Sequence, residues 1–262
     1  MPSESLTPGL RIFTCGHSFH MFVPALLSEI ANAAGINGHG TVGLSSIGGS
    51  RVIEHWEGPE ARDETKQALR DGKVDLLTLS PIWLPDDGIE NFARLALAGN
   101  PTARVTVQEY WLPNDEYAPV YPLETCKTTD HNAIDGAELR KRHAPYFADM
   151  ENYIREVNTH LGTEVVFAVP VGQAVIALRE NILAGQAPGI TTQAELFADS
   201  WGHPTAPVQV LAAYCHFAVI YRRTPIGIPS PATLASWDTK LNPLLQELAW
   251  DAVQRYPQVK EP

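Results

Sequence analysis

Short apolar runs alternate with helical patterns along this whole chain. Residues 74–79 (VDLLTL) and 164–169 (EVVFAV) are almost continuously apolar, as strands buried on both faces of a parallel sheet are. Helical patterns lie between these runs, and helices are the usual connections between parallel strands. The chain is therefore predicted to form an α/β fold around a parallel sheet.

The predicted sheet has about five strands, with helices on both of its faces. The strands are predicted at residues 10–15, 37–44, 74–79, 104–110 and 164–169. The helices are predicted at residues 21–34, 59–70, 89–98, 145–161, 172–184, 207–221 and 232–255, the last interrupted at Pro243. Since no repeat, low-complexity tract or linker divides the chain, residues 1–262 are expected to be a single domain.

Two stretches depart from this alternation. Residues 112–144 form a long insertion with several prolines, and loops of more than about 12–15 residues are usually functional or disordered. The insertion follows a predicted strand, so it is expected at the carboxyl edge of the sheet, where open α/β folds bind ligands. Residues 231–256 are predicted to be a C-terminal helical extension.

The charge balance restricts the partners of the protein. Lysine and arginine number 19 against 30 aspartates and glutamates, which gives a net charge of −11. A nucleic-acid partner is not expected, because binding one requires a basic surface that displaces counterions from phosphates. No run approaches the roughly 18–20 apolar residues of a membrane span. The sequence does not indicate an oligomeric state.

Two features bear on localisation. The first residues are polar and lack the cationic and apolar segments of a signal peptide. The cysteines are odd in number and scattered, which favours a reducing compartment (Cys15, Cys126 and Cys215). We expect a cytoplasmic protein, the alternative being a secreted or periplasmic one whose signal peptide has been removed.

A candidate nucleophile follows the first predicted strand. Residues 11–20 (RIFTCGHSFH) end a strand, turn at Gly16 and place Ser18 where the next helix is predicted to begin. A serine hydroxyl acts as a nucleophile when it is exposed, lies beside a base and has donors for the developing oxyanion. The alternative is that Ser18 only caps the helix, since serine is a preferred N-cap residue.

The remaining parts of a hydrolytic site are distant in sequence. Asp199 and His203 lie in a predicted loop, and a histidine beside an acid can serve as an oriented general base. His203 can meet Ser18 only if both lie at the same edge of the sheet. The alternative is that His203 is a loop histidine hydrogen-bonded to backbone. Paired glycines at 48 and 49 let the backbone approach a ligand, so the N–H groups of Gly49 and Ser18 are candidate oxyanion donors.

Together these segments resemble the SGNH (GDSL-type) hydrolase family. The similarity runs over roughly residues 10–228 and is strongest to members with a G-N-S-F-type first block, here residues 16–19 (GHSF). The resemblance implies a flavodoxin-like three-layer α/β/α sandwich that needs no cofactor. It also implies that Ser18 is the nucleophile, that His203 and Asp199 complete a triad, and that Gly49 contributes to the oxyanion hole.

Two positions depart from the family pattern. The third block of the family is G-x-N-D, whose asparagine donates to the oxyanion, whereas residues 79–83 (LSPIW) contain no asparagine and Asn91 lies too far along. The last block of the family is D-x-x-H, whereas this chain has Asp199-x-x-x-His203. That spacing leaves open a Ser18–His203 dyad or an acid from elsewhere.

Other side chains suggest substrate contacts or rival functions. His17 and His20 flank Ser18 and are expected to shape the pocket mouth or to donate a hydrogen bond to substrate. Their H-x-x-H spacing also admits a zinc hydrolase, but no H-E-x-x-H or D-x-H pattern accompanies it, so no metal is expected. Candidate stacking surfaces, each with ordinary packing as its alternative, are Trp83, Trp111, Tyr117 and Tyr121.

These patterns predict a serine hydrolase that cleaves carboxylic esters. The expected substrate is a small molecule or carbohydrate that carries a small acyl group such as acetyl. The acidic composition favours a neutral or cationic substrate over a polyanion. The alternative from a different class is a catalytically degenerate SGNH-like protein that binds a sugar or a partner without turnover.

Overall fold

The computed structural model describes residues 8–58, 64–117 and 129–257. Its strands in these ranges are β1 (Arg11–Gly16), β2 (Gly40–Ser46), β3 (Leu76–Leu79), β4 (Arg104–Glu109) and β5 (Val166–Pro170). Its helices there are α1 (Val23–Ala33), α2 (Val52–Glu57), α3 (Glu64–Arg70), α4 (Gly88–Gly99), α5 (Gly136–Leu161), α6 (Val171–Leu183), α7 (Ala206–Tyr221) and α8 (Leu241–Arg255).

The five strands form one sheet in the order β2-β1-β3-β4-β5, and every neighbouring pair is parallel. Ile12 of β1 lies opposite Leu76 of β3, and the register continues without a shift to Cys15 and Leu79. All of β3 is buried, which explains its apolar sequence on both faces. The order is that of the flavodoxin-like fold, so the predicted three-layer α/β/α sandwich is confirmed.

Helices pack in two layers against this sheet. In one layer α7 packs against α1 and α8, and in the other α4 packs against α2, α3 and α5. Helix α7 is buried over almost its whole circumference, which explains why its sequence lacks a polar face. Helix α6 contacts α5, α7 and α8, and so joins the two layers beyond β5.

Helix α5 begins well before the position that the sequence predicts. Helix α5 begins at Gly136 rather than at Pro145, because the carboxylate of Asp135 accepts the N–H of Glu138 and caps the helix earlier. The helix then continues through Pro145, so the predicted insertion is shorter than residues 112–144, and residues 118–128 of it lie outside the described ranges.

The C-terminal extension also differs in detail. Residues 232–255 do not form one helix: Ala232–Leu234 is a 3-10 turn, and α8 starts at Leu241. Pro243 does not interrupt α8, because it lies in the first turn, where no N–H is needed for a helical hydrogen bond. Helix α2 was not predicted, and residues 59–63 of the helix predicted at 59–70 lie outside the described ranges.

The strand order reverses beside β1, since the chain passes from β1 to one neighbour, β2, and then crosses to the other, β3. Open α/β sheets bind ligands at such a switch point, outside the carboxyl ends of the strands. The turns that follow β1, β2 and β3 all emerge there, and they carry Ser18, Gly49 and Ile82. Among the described helices, none is both long and apolar enough to cross a lipid bilayer.

Candidate active site

Ser18 lies in a tight turn between β1 and α1. The N–H groups of His20 and Met21 both donate to the carbonyl of His17, which folds the chain back immediately around the serine. Helix α1 begins only at Val23, so Ser18 does not cap it and that alternative is wrong. The side chain of Ser18 is exposed while its neighbours on both sides are buried, as a nucleophile requires.

The fold brings three of the predicted residues into one hydrogen-bonded line. Oγ of Ser18 lies 2.9 Å from Nε2 of His203. Nδ1 of His203 lies 2.7 Å from Oδ2 of Asp199. An imidazole that donates through Nδ1 to a carboxylate has Nε2 free to accept the serine proton. The arrangement is that of a nucleophile, a general base and an orienting acid.

The loop of residues 199–203 is closed around its own carboxylate. Oδ1 of Asp199 accepts the N–H groups of Trp201, Gly202 and His203, at 3.0, 3.1 and 3.2 Å. Gly202 has a φ of 93°, a conformation that glycine adopts without strain. Partial burial opposes ionisation of Asp199, but hydrogen bonds from the backbone and imidazole of His203 outweigh it and lower the pKa of the carboxyl group.

A cleft of about 350 Å³ opens beside Ser18 and His203. Gly48 and Gly49 form one wall of it, and Gly49 has a φ of 58°. Within the described residues, the N–H groups of Ser18 and Gly49 donate to no protein acceptor. The other walls are mainly apolar and come from Phe19, Ile82, Pro113 and Trp201. Sequence reasoning missed the last three, which carry no polar signal and lie on three different loops.

His17 forms part of the floor of the cleft and is buried. Its Nδ1 accepts the N–H of Phe19, and its Nε2 lies 3.2 Å from Oγ of Ser80. Burial, together with neighbouring histidines, lowers the pKa of His17 to about 3, so the ring is neutral. Both ring nitrogens are used inside the protein. His17 therefore ties the turn of residues 17–21, which carries the candidate nucleophile and is called the nucleophile turn below, to the turn after β3.

His20 does not reach the cleft, because it is fully buried beneath the turn. Its ring lies 2.9 Å from Oε1 of Gln108 and 3.0 Å from Oγ1 of Thr78, and Gln108 in turn donates to the carbonyl of Phe19. His216 of α7 shares the same Gln108 oxygen, at 3.0 Å. The expected hydrogen bond from His20 to substrate is replaced by a buried network under the nucleophile turn.

His55 supports the turn that carries Gly48 and Gly49. Its two ring nitrogens each lie 2.8 Å from a serine hydroxyl, of Ser45 in β2 and of Ser50 beside Gly49. The buried ring therefore braces the glycine turn against the strand that leads into it. The five-residue spacing between Ser50 and His55 was the available signal, because it is short enough for the two side chains to meet.

The aromatic candidates are divided between two regions. Trp83 and Tyr117 line a small neighbouring pocket that shares Ile82 and Pro113 with the cleft. Trp111 is buried and does not line the cleft, because its ring is stacked inside the protein on Phe19. Tyr121 lies outside the described residues.

The histidines do not assemble into a metal site in the described part of the chain. His17 and His20 face different partners, Ser80 and Gln108, in spite of their H-x-x-H spacing. No three histidine, cysteine, aspartate or glutamate side chains of residues 8–58, 64–117 and 129–257 are grouped as metal ligands would be.

No known protein family matches the sequence, and neither does any curated protein. Among solved structures, a DUF4886 family protein from Bacteroides uniformis is similar, with a TM-score of 0.60 and 15% identity over 97% of each chain. A candidate SGNH hydrolase from Slackia heliotrinireducens gives 0.47 and 17%, covering 81% of this chain and 99% of its own. Phospholipase A1 from Streptomyces albidoflavus gives 0.41 and 13%, with the same coverage. The first similarity shows a shared fold over nearly the whole chain.

Proposed function

We propose that this protein is an SGNH-type serine hydrolase of carboxylic esters. The observation that carries the proposal is the hydrogen-bonded line from Ser18 through His203 to Asp199, at the mouth of a cleft. The order of the sequence blocks and the flavodoxin-like sheet support the same assignment. No cofactor is part of the proposal.

The proposed reaction assigns a role to each of these groups. Oγ of Ser18 attacks the ester carbonyl while Nε2 of His203 takes the hydroxyl proton, and the carboxylate of Asp199 stabilises the imidazolium. The N–H groups of Ser18 and Gly49 hold the oxyanion. His203 then gives the proton to the departing alcohol, which leaves an acyl-Ser18 intermediate. A water molecule, deprotonated by His203, attacks this ester and releases the acid and the free enzyme.

The third-block asparagine of the family has no counterpart at this site. The turn after β3 presents Ile82 to the cleft, and the hydroxyl of Ser80 is engaged with His17. Loss of one oxyanion donor costs about 2.7–4 kcal/mol in related acyl transfers. We therefore propose a hydrolase with a two-amide oxyanion hole and a lower kcat than enzymes that have three donors.

For the substrate, we propose a small acyl group such as acetyl on a carbohydrate or related alcohol. The cleft has more room than an acetyl group needs, and Trp201 supplies an aromatic face on which a sugar ring can stack. Rates measured on p-nitrophenyl acetate, butyrate and octanoate and on an acetylated monosaccharide test this. A rate that rises from acetate to octanoate would contradict the small-acyl preference.

A fluorophosphonate probe tests the serine mechanism directly. We expect it to label the wild type and the control Ser230→Ala, which changes an exposed serine outside the site, and to leave Ser18→Ala unlabelled. Hydrolysis should persist after incubation with a chelator. A wild type that binds sugars but is neither labelled nor active would be the degenerate binding protein, and activity lost only with the chelator would indicate the metal-dependent alternative.

A further inference from the structure

Trp111 occupies a position between the two halves of the proposed triad. It lies just beyond the end of β4, after Tyr110, and it is 1% exposed. The turn that carries Ser18 packs on a face of the indole ring through Phe19, and the loop of residues 199–203 accepts a hydrogen bond at its N–H edge. Because Ser18 and His203 come from distant parts of the chain, their separation has to be set by contacts between the segments that carry them.

The contacts of Trp111 reach the immediate neighbour of each of these residues. Its ring stacks on Phe19 with a centroid distance of 4.9 Å and an interplanar angle of 8°. Its Nε1–H donates to the carbonyl of Gly202 at 2.8 Å. Phe19 in turn presents its ring to the ring of His203, edge to face, at 5.1 Å. The indole is thus held by one residue next to the serine and by another next to the histidine.

The segment that carries Trp111 is itself firmly anchored. The N–H of Leu112 donates to Nε2 of His143 at 3.0 Å. The N–H of Asn114 donates to the carbonyl of Trp201 at 3.2 Å, so two successive carbonyls of the loop are held from this side. Asp115 is fixed by a buried ion pair with Arg179. A ring on such a segment has little freedom to move, so it keeps the turn with Ser18 and the loop with His203 at a constant separation.

We propose that Trp111 is a positioning residue for ester hydrolysis, which sets the separation of Ser18 and His203 through its stack on Phe19 and its hydrogen bond to Gly202. The inference rests on the proposed function. Small displacements matter here, because an error of about 1 Å in a catalytic group can cost about 100-fold in rate. Trp111 acts through its neighbours and does not touch the substrate, so its loss should lower kcat and leave KM unchanged.

Trp111→Phe removes the N–H donor and shortens the ring, while a ring can still lie against Phe19. We expect kcat for p-nitrophenyl acetate and the rate of fluorophosphonate labelling to fall at least tenfold, with KM within twofold of the wild type. Trp250→Phe in α8, which removes an indole outside the site, should leave both rates unchanged. If Trp111→Phe fails to fold, replacement of Trp111 by 3-benzothienylalanine keeps the fused rings and removes only the N–H.

The same substitution in a His203→Ala background separates positioning from general loss of structure. If Trp111 acts by positioning the imidazole of His203, the His203→Ala variant has no imidazole to position. In that background Trp111→Phe should therefore change the residual rate less than twofold. An equal tenfold loss in both backgrounds, or no loss in the wild type, would overturn the inference. If Ser18→Ala retains labelling and activity, the proposed function fails, and that result is distinguishable because it does not involve Trp111.

Discussion

Oδ2 of Asp199 lies 2.7 Å from Nδ1 of His203 although the two residues are four positions apart in the chain. The additional residue relative to a D-x-x-H block is accommodated because Oδ1 of the same carboxylate accepts three consecutive N–H groups of the loop. The carboxylate therefore both shapes the loop and faces the imidazole. This geometry favours a triad over the Ser18–His203 dyad that the spacing left open.

The role of Asp199 predicts a large catalytic effect from an isosteric change. Asp199→Asn removes the carboxylate that holds the His203 tautomer, and we expect kcat to fall at least about 100-fold. Asp251→Asn, which alters an exposed carboxylate on α8, is the matched control and should be neutral. Steady-state kinetics on p-nitrophenyl acetate make the measurement. A decrease of less than threefold would point to a dyad.

The glycine turn after β2 predicts a second catalytic effect. Gly49 lines the cleft with a φ of 58°, so Gly49→Ala strains the turn and displaces the proposed oxyanion donor. We expect kcat to fall about 100-fold, the usual cost of one oxyanion donor. Gly162→Ala, at a φ of 69° after α5 with open space around it, should lower only the stability, by about 1 kcal/mol. Equal kinetics for the two variants would refute this role.

The buried ion pair of Asp115 and Arg179 predicts that replacing a buried arginine costs more stability than replacing an exposed one. Burial opposes ionisation of Asp115, but hydrogen bonds from His131 and Arg179 lower its pKa to about 2, so the carboxylate is charged. Arg179→Met leaves that charge unpaired and should cost about 3–5 kcal/mol in urea unfolding.

The matched control for that substitution is Arg140→Met. Arg140 pairs with Glu180 at the surface, where the arginine side chain is 54% exposed, and its loss should cost less than about 1 kcal/mol. Similar losses in the two variants would show that the buried pair contributes no more than a surface pair.

Glu109 predicts a dependence of stability on pH. It is fully buried at the end of β4, and desolvation raises its pKa to about 8. Between the ordinary carboxyl pKa and 8, the folded state binds more protons than the unfolded state. The contribution of Glu109 to the free energy of unfolding should therefore be largest at acidic pH, and it should be lost as the pH rises through 8.

Glu109→Gln mimics the protonated acid and should remove this loss. At pH 8 we expect the variant to exceed the wild type in stability by on the order of 4 kcal/mol, with the difference vanishing near pH 4.5. Urea denaturation across this pH range makes the comparison, with the exposed Glu247→Gln as the control. A constant difference at all pH values would show that the carboxyl group does not titrate as described.

The sequence by itself determined the sheet and much of the candidate site. Runs such as residues 74–79 and 164–169 are apolar because strands buried on both faces need no alternation, and that local signal located the strands to within three residues. Ser18, Gly49 and the loop with Asp199 and His203 could be selected because each follows a predicted element and carries groups with recognisable chemistry.

Only the tertiary structure decided how these groups meet and what supports them. The sequence suggested a substrate contact for His20 and for Trp111, yet both side chains are buried. His20 is hydrogen-bonded to Gln108 and Trp111 is stacked on Phe19, and in each pair the partner comes from a distant part of the chain. Ile82 gives no signal at all, because an apolar wall of a cleft has the same local pattern as core. Hydrogen bonds and stacking between distant segments depend on packing distances, and these are set only when the strands have assembled.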